Sequence, residues 1–413
     1  MQSWTLALSI LNLCLVSAVM ALGVNIQWGY AGLVNFGVMG FTALGGLAVV
    51  LTSTQPVREA WAAGGAGVLL ALLVIVAAVV AALALQRSFT GVMRVVLTLV
   101  AAFAAYLLAT SVLGPSIGAI EAVDPSHTGF LGGAGLPVLV SWVVGGLFAA
   151  GAAFVIGKIA LGLRADYLAI ATLGVSEIIV AILMNEDWLA RGVKNVVGLP
   201  RPVPYEVELR QEEWFLSLAD MLSAGPVELS SLVVRGGYTA LFVIVLAILL
   251  WLSQRALWSP WGRMMRAVRD NETAAEAMGK DVKRLHLLVF VLGSAVIGLA
   301  GAMLTTLDGQ FTPGSYQPLR FTFLIWVMVI VGGSGNNWGS TVGAFIVWFT
   351  WVQAEPIGTL LIDHATLWLG EDSPLRAHLL ANAPQMRHVV MGVVLLLVLR
   401  FAPRGIIPET QRV

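Results

Sequence analysis

The feature that most constrains this chain is a succession of long apolar runs, near residues 4–24, 33–54, 61–85, 92–113, 136–161, 167–184, 238–258, 285–307, 321–353 and 388–402. A helix needs about 20 apolar residues to cross the hydrocarbon layer, and most of these runs are of that length. Charged residues make up 11% of the chain, against roughly 25% in soluble domains. The expected fold is therefore all-α: one polytopic integral-membrane helical bundle over 1–413, with about ten spans. No Lys or Arg precedes Arg58, so the run Trp4 to Val24 is read as a retained span rather than a cleaved leader.

The ninth run is too long for one crossing. It contains Gly332-Gly333-Ser334-Gly335-Asn336-Asn337-Trp338-Gly339, which is expected to break it into two short arms. Short cytoplasmic loops collect Lys and Arg, so Arg87, Arg94, Lys158, Arg164, the cluster at 263–284, Arg400, Arg404 and Arg412 mark that side. Tracing back from the last span leaves 308–320 and 354–387 outside. The ninth run must then begin and end outside, as a hairpin that dips in and returns with its break in the interior.

An early counterpart is Gly29-Tyr30-Ala31-Gly32-Leu33-Val34-Asn35-Phe36-Gly37-Val38-Met39-Gly40. Glycine-interrupted segments in both halves of a transporter point towards its solute path. Gly29, Gly32, Asn35, Gly37, Gly40, Gly332, Gly333 and Gly335 are the path candidates on that ground. Close helix packing uses glycine equally well, as the spacing of Gly339 and Gly343 illustrates, and both readings stand. Outside, the segment 185–237 is rich in acids and prolines, with Trp214-Phe215-Leu216 and Leu218 able to form an amphipathic turn. The segment 354–387 is a second, smaller external loop.

Between two apolar runs lies the most charged short stretch, within 258–284, which leaves the membrane and comes straight back. Thr273 and Glu276 have the spacing of a capping box, and Gly279 follows as a left-handed terminator. Ala274, Ala275, Ala277 and Met278 make a small apolar helix surface, flanked by Arg263, Arg266 and Arg269 before it and Lys280, Lys283 and Arg284 after it. Such a knob either sets topology alone or docks in a partner's groove. On the docking reading, Arg266, Arg269, Asp270, Glu272, Thr273, Ala274, Ala275, Glu276 and Gly279 form the coupling surface.

Catalytic chemistry is missing from the sequence. No phosphate loop occurs, because Gly157-Lys158 and Gly279-Lys280 are followed by Ile and Asp. The histidines His127, His286, His364, His378 and His388 lack metal-ligand spacing, and no nucleophile elbow is present. An enzyme, a bound cofactor and a metal centre are not expected. Cys14 is the only cysteine and reads as a core residue. The formal charge is zero and no basic tract runs beyond the loops, so charge implies neither nucleic acid nor an acidic substrate as a partner. Glu177 stands about ten residues inside 167–184, and an intramembrane carboxylate is either a functional group or a tie to a neighbouring helix. One such group is few for a proton-coupled carrier, so energy is expected from outside the chain.

Several stretches together resemble a known family. They are Gly29 to Gly37, Arg164-Ala165-Asp166-Tyr167-Leu168-Ala169-Ile170-Ala171-Thr172-Leu173-Gly174 running on to Glu177, and Gly262 through Glu272 to Gly279. Gly298-Leu299-Ala300-Gly301-Ala302, Gly332-Gly333-Ser334-Gly335 with Gly339, and Pro403-Arg404-Gly405 complete them. In this order they resemble the permease subunits of bacterial high-affinity branched-chain amino acid ABC transporters, of the LivM type. The resemblance implies a cytoplasmic-membrane permease without an ATPase of its own, paired with a second permease chain. It also implies two cytoplasmic ATP-binding subunits that use ATP and magnesium, an extracytoplasmic amino-acid-binding protein, and lipid around the spans. The stretch 258–284 would be the coupling loop. The chain departs from the family at Ala190 to Asn195 and in the length of 201–236, which leaves permeases for urea or short amides as an alternative. A carrier or channel working alone is the other.

Overall fold

The computed structural model describes residues 2–124, 129–367 and 373–409; His127, residues 368–372 of the second external loop and Arg412 lie outside them. The apolar runs fold as helices because each backbone N–H and C=O finds its partner inside the same segment, which hydrocarbon requires. In chain order they are α1 Gln2–Val24, continued by a wide turn Asn25–Gly29, α2 Val38–Ser53, α3 Ala66–Ser88, α4 Gly91–Glu121, α5 Val138–Ala160 and α6 Ala165–Asn185. Then follow α7 Pro226–Trp258, α8 Pro260–Asp270, α9 Glu272–Ala277, α10 Val282–Asp308, α11 Pro318–Gly332, α12 Asn337–Ala365 and α13 Met386–Phe401.

Among the described residues nine helices are long and apolar enough to cross a membrane, and Val38–Ser53 and Pro318–Gly332 are shorter. This agrees with the expected bundle of about ten spans. The run 33–54 is a 16-residue helix preceded by a non-helical stretch, and the run 321–353 resolves into α11, of 15 residues, and α12, of 29. Two backbone breaks are present as expected, at 32–37 and 333–336. The second lies at the level of Arg269 and the chain's C-terminal tail, at the basic end of the hairpin rather than midway through it. Its backbone is nevertheless covered by protein.

Helix lengths also move the loop boundaries. α7 begins at Pro226, not near 238, and its 33 residues reach about 50 Å, so the last part of 185–237 is a rigid extension of a span. α12 runs to Ala365, which makes the first third of 354–387 helix as well. The rest of the external segment has partial structure: Val196–Val197 pairs antiparallel with Gln310–Phe311, and the short helix Glu213–Met221 buries Phe215 and Ala219 while Trp214 faces out. Arg235 of the outer part of α7 donates to the Thr5 carbonyl, so the chain starts on the side opposite the basic knob.

At the centre α10 packs against α2 and α5. Apolar surface alone does not drive helices together in lipid, where close van der Waals approach does. Glycines supply it: a Cβ on Gly45 would overlap the Gly298 carbonyl, and one on Gly298 would lie 2.6 Å from the Gly145 carbonyl oxygen. α3 and α4 form a hairpin that packs chiefly on itself and exposes Leu72, Leu73, Val79, Val80, Leu99 and Phe103. Those faces suit acyl chains.

Candidate functional site: the junction at the basic face

α8 and α9 form a bent arm between α7 and α10. Ser259 caps α8 by accepting from the Gly262 N–H at 3.4 Å, and Pro260 opens its first turn. Met265 and Val268 point inward and are buried, whereas Arg263 and Asp270 are exposed, so α8 lies on the bundle by one face. Asn271 then takes extended backbone, φ −157°, and its side-chain oxygen accepts from the Ala274 N–H at 3.0 Å.

That geometry corrects the expected capping box. Thr273 is already inside α9, because the Asn271 carboxamide two residues earlier reaches the free N–H first. At the other end Gly279 has φ +77°, its N–H donates to the Glu276 carbonyl at 2.8 Å, and the Lys280 N–H donates to the Ala275 carbonyl at 3.1 Å. This crossed pair of bonds closes a helix on a left-handed residue. Ala275 packs inward with Val268 and Val282, while Ala274, Glu276, Ala277 and Met278 face outward, Met278 being 80% exposed.

Arg269 connects this arm to both backbone breaks. Its guanidinium donates to the Gly29 carbonyl and pairs with Glu409 of the C-terminal tail at 3.0 Å. A Cβ on Gly29 would stand 2.6 Å from the Gly335 nitrogen, and one on Gly335 2.7 Å from a Glu409 carboxylate oxygen. The wide turn that leads into the first break and the second break itself, more than 300 residues apart in sequence, thus touch under one arginine. The tail reinforces the contact: the Ile406 and Ile407 N–H groups donate to the Val331 and Gly332 carbonyls, both at 2.9 Å.

Beneath them lies a buried polar network. Asn25 accepts from the Gly335 N–H at 2.8 Å and donates to Asn337 at 3.1 Å; Asn337 donates to Gln254 at 3.2 Å and accepts from the Tyr30 hydroxyl. Burial pushes the Tyr30 phenol above its ordinary pKa, so it remains a donor. Buried polar groups in a medium of low polarity must be paired. Here, pairing fastens α1 and α12 to each other beside the arm.

The remaining path candidates sit elsewhere. Asn35 is fully buried, donates to Gln27 at 2.8 Å and accepts from the Gly37 N–H at 2.8 Å. Gln27 in turn donates to the Phe290 carbonyl and to Ser294. The Phe36 and Gly40 N–H groups donate to Thr172 and Ser176 of α6, at 3.0 and 2.7 Å. The structure therefore brings Gly29, Gly32 and Gly335 to the arm, sets Gly332 and Gly333 against α12 and the C-terminal tail, ties Asn35 to Gln27, and seats Gly37 and Gly40 on α6. Glu177 joins neither group and is exposed on the outer side of α6.

Sequence reasoning passed over Asn25, Gln27, Tyr30, Gln254, Asn337 and Glu409. The available signal was the polar residues at the ends of apolar runs, Asn25 and Gln27 above all, which demand partners wherever the helix ends.

The profile of the family described as branched-chain amino acid transport system / permease component matches residues 89–399. The chain is 31% identical over 209 residues to the high-affinity branched-chain amino acid transport system permease protein LivM of Escherichia coli K12, covering 49% of this chain and 48% of that protein. It is 29% identical over 206 residues to the protein of the same description in Salmonella typhimurium, 49% and 47% respectively. With the probable branched-chain amino acid transport permease protein LivM of Methanocaldococcus jannaschii it shares 26% identity over 280 residues, 66% and 68%. The matched stretch spans about half the length of the two enterobacterial relatives. No solved structure matches the chain.

Proposed function

Because the chain belongs to the permease-component family of branched-chain amino acid transport systems, we propose that it is the membrane subunit of an ATP-driven importer of branched-chain amino acids in a bacterial cytoplasmic membrane. It works with a second permease chain, two cytoplasmic ATP-binding subunits that consume ATP and magnesium, and an extracytoplasmic binding protein. The observation that carries this reading is the arm α8–α9: a short, firmly ended helix held out on the basic side and joined at its root, through Arg269, to both breaks in the spans.

Work done on α9 from the cytoplasm is passed on mechanically. α8 is packed by Met265 and Val268, and Ala275 of α9 packs against the same Val268, so the two helices share one inner face. A displacement of α8 pulls on the Gly29 carbonyl, on Glu409 and on the hairpin tip at 333–336 together. Interlocked packing of this kind switches between discrete arrangements rather than deforming continuously. Closure of the ATP-binding subunits would thereby rock α1, α11 and α12 relative to α10.

The test is co-purification with an ATP-binding subunit, followed by ATP hydrolysis in liposomes with and without a leucine-loaded binding protein. Stimulated hydrolysis and uptake are expected only with all components present. Leucine flux through liposomes holding this chain alone, without ATP, would overturn the importer reading in favour of a carrier or channel.

A further inference from the structure

Glu177 lies eight residues from the nearer end of α6, about 12 Å along the helix axis. Its short side chain does not reach the interface from there. Charged groups in the outer parts of α7 and α12 are answered: Arg235 donates to the Thr5 carbonyl, and Glu355 pairs with Arg387. Glu177 makes no hydrogen bond or ion pair among the described residues.

The rotation of α6 is pinned. Thr172 and Ser176 accept from the N–H groups of Phe36 and Gly40, so the neighbouring position, 177, turns out of the bundle. Beside Glu177 on that outer face are Tyr167, Ile170, Gly174 and Ala181, all exposed, and a Cβ placed on Gly174 would have nothing within 4 Å. The exposed face of α3 over residues 66–82, with Leu72, Leu73, Val79 and Val80, bears no charge and shows what an acyl-facing surface of this chain looks like. A carboxylate at mid-depth against lipid costs several kcal/mol. The outer face of α6 is therefore covered by something other than lipid.

We infer that this face lines a water-filled seam closed by the second permease chain, and that the Glu177 carboxylate there receives the ammonium group of the passing amino acid. The inference rests on the importer reading. It identifies the occupant by charge: the solute class proposed carries a cation that α6 can meet, while the bundle centre is shut by the Gly45, Gly145 and Gly298 contacts. Gly174 and Ala181 leave room for a helix or a solute to come close, and Glu177 supplies the polarity.

The experiment uses the complete reconstituted importer. Glu177→Gln keeps the size and removes the charge; it is expected to raise the KM for leucine uptake at least about 10-fold, the loss of one charge-assisted contact. Glu177→Asp should recover part of that loss. Gly174→Cys should react with a charged, water-soluble thiol reagent and be protected by leucine, whereas Leu72→Cys should not react. Cys14 is buried and gives a low background. Unchanged KM in Glu177→Gln, or an unreactive Gly174→Cys, overturns the inference while binding-protein-stimulated hydrolysis in the wild type leaves the importer reading intact. Should the wild type lack that stimulation, the importer reading itself fails.

Discussion

Arg269 is the residue on which the junction turns. Its fork serves the Gly29 carbonyl and the Glu409 carboxylate at once, a task the single point charge of lysine cannot share between two directions. Arg269→Ala and Arg269→Lys are both expected to lower binding-protein-stimulated ATP hydrolysis by 10-fold or more, alanine the more severely, while basal hydrolysis persists. Glu409→Gln should cost less, since the bond to Gly29 remains. Equal activity in all three variants would remove Arg269 from the transmission. Gly45 makes a different demand, for room. Valine there would collide with the Gly298 carbonyl, and overpacking a tight contact costs about 1–3 kcal/mol or more. Gly45→Val should lower the melting temperature in detergent, whereas Gly151→Ala, with nothing within 4 Å, should leave it unchanged or raise it.

The element whose ends matter most is α9, only six residues long. A helix so short is marginal by itself, and its two caps hold a large share of its free amide and carbonyl groups. Asn271→Ala should destabilise it by about 1 kcal/mol, and Thr273→Ala by far less, because the Thr273 hydroxyl is not the cap. Hydrogen exchange of the Ala274 amide measures the difference directly; the reverse order would restore the Thr273 box. Gly279→Val forces a β-branched residue to φ +77°, where only glycine is unstrained. The chain should still insert and assemble, yet hydrolysis should no longer drive uptake. Retained ATP-driven uptake in this variant would show that the end of α9 does not couple.

At the scale of the whole molecule, the C-terminal tail closes the structure. Residues 406–409 bond to the Val331 and Gly332 carbonyls, hold Asn336 through the Pro408 carbonyl, and place Glu409 on Arg269. Truncation after Gly405 should therefore loosen the hairpin tip and the arm together. The expected reading is a lower melting temperature in detergent with faster amide exchange at 333–336 and at 269–271. Exchange that quickens at the hairpin alone would mean that the arm is held independently of the tail.

Much of this protein could be read along the chain. Apolar length, the glycine breaks and the Lys and Arg placement are local responses to a bilayer, so the helical class, the basic side and the knob at 258–284 are legible without coordinates. The contact of Gly29 with Gly335 was not, nor was the Asn25–Asn337 bond across 312 residues, because nothing local states which helices meet. The same holds for Glu177: its depth follows from counting residues, but its outward direction follows from Thr172 and Ser176 being claimed by Phe36 and Gly40. Helix formation answers to the solvent around each segment. Helix rotation and pairing answer to close packing and to buried polar groups that must be satisfied, and those exist only once the chain has folded.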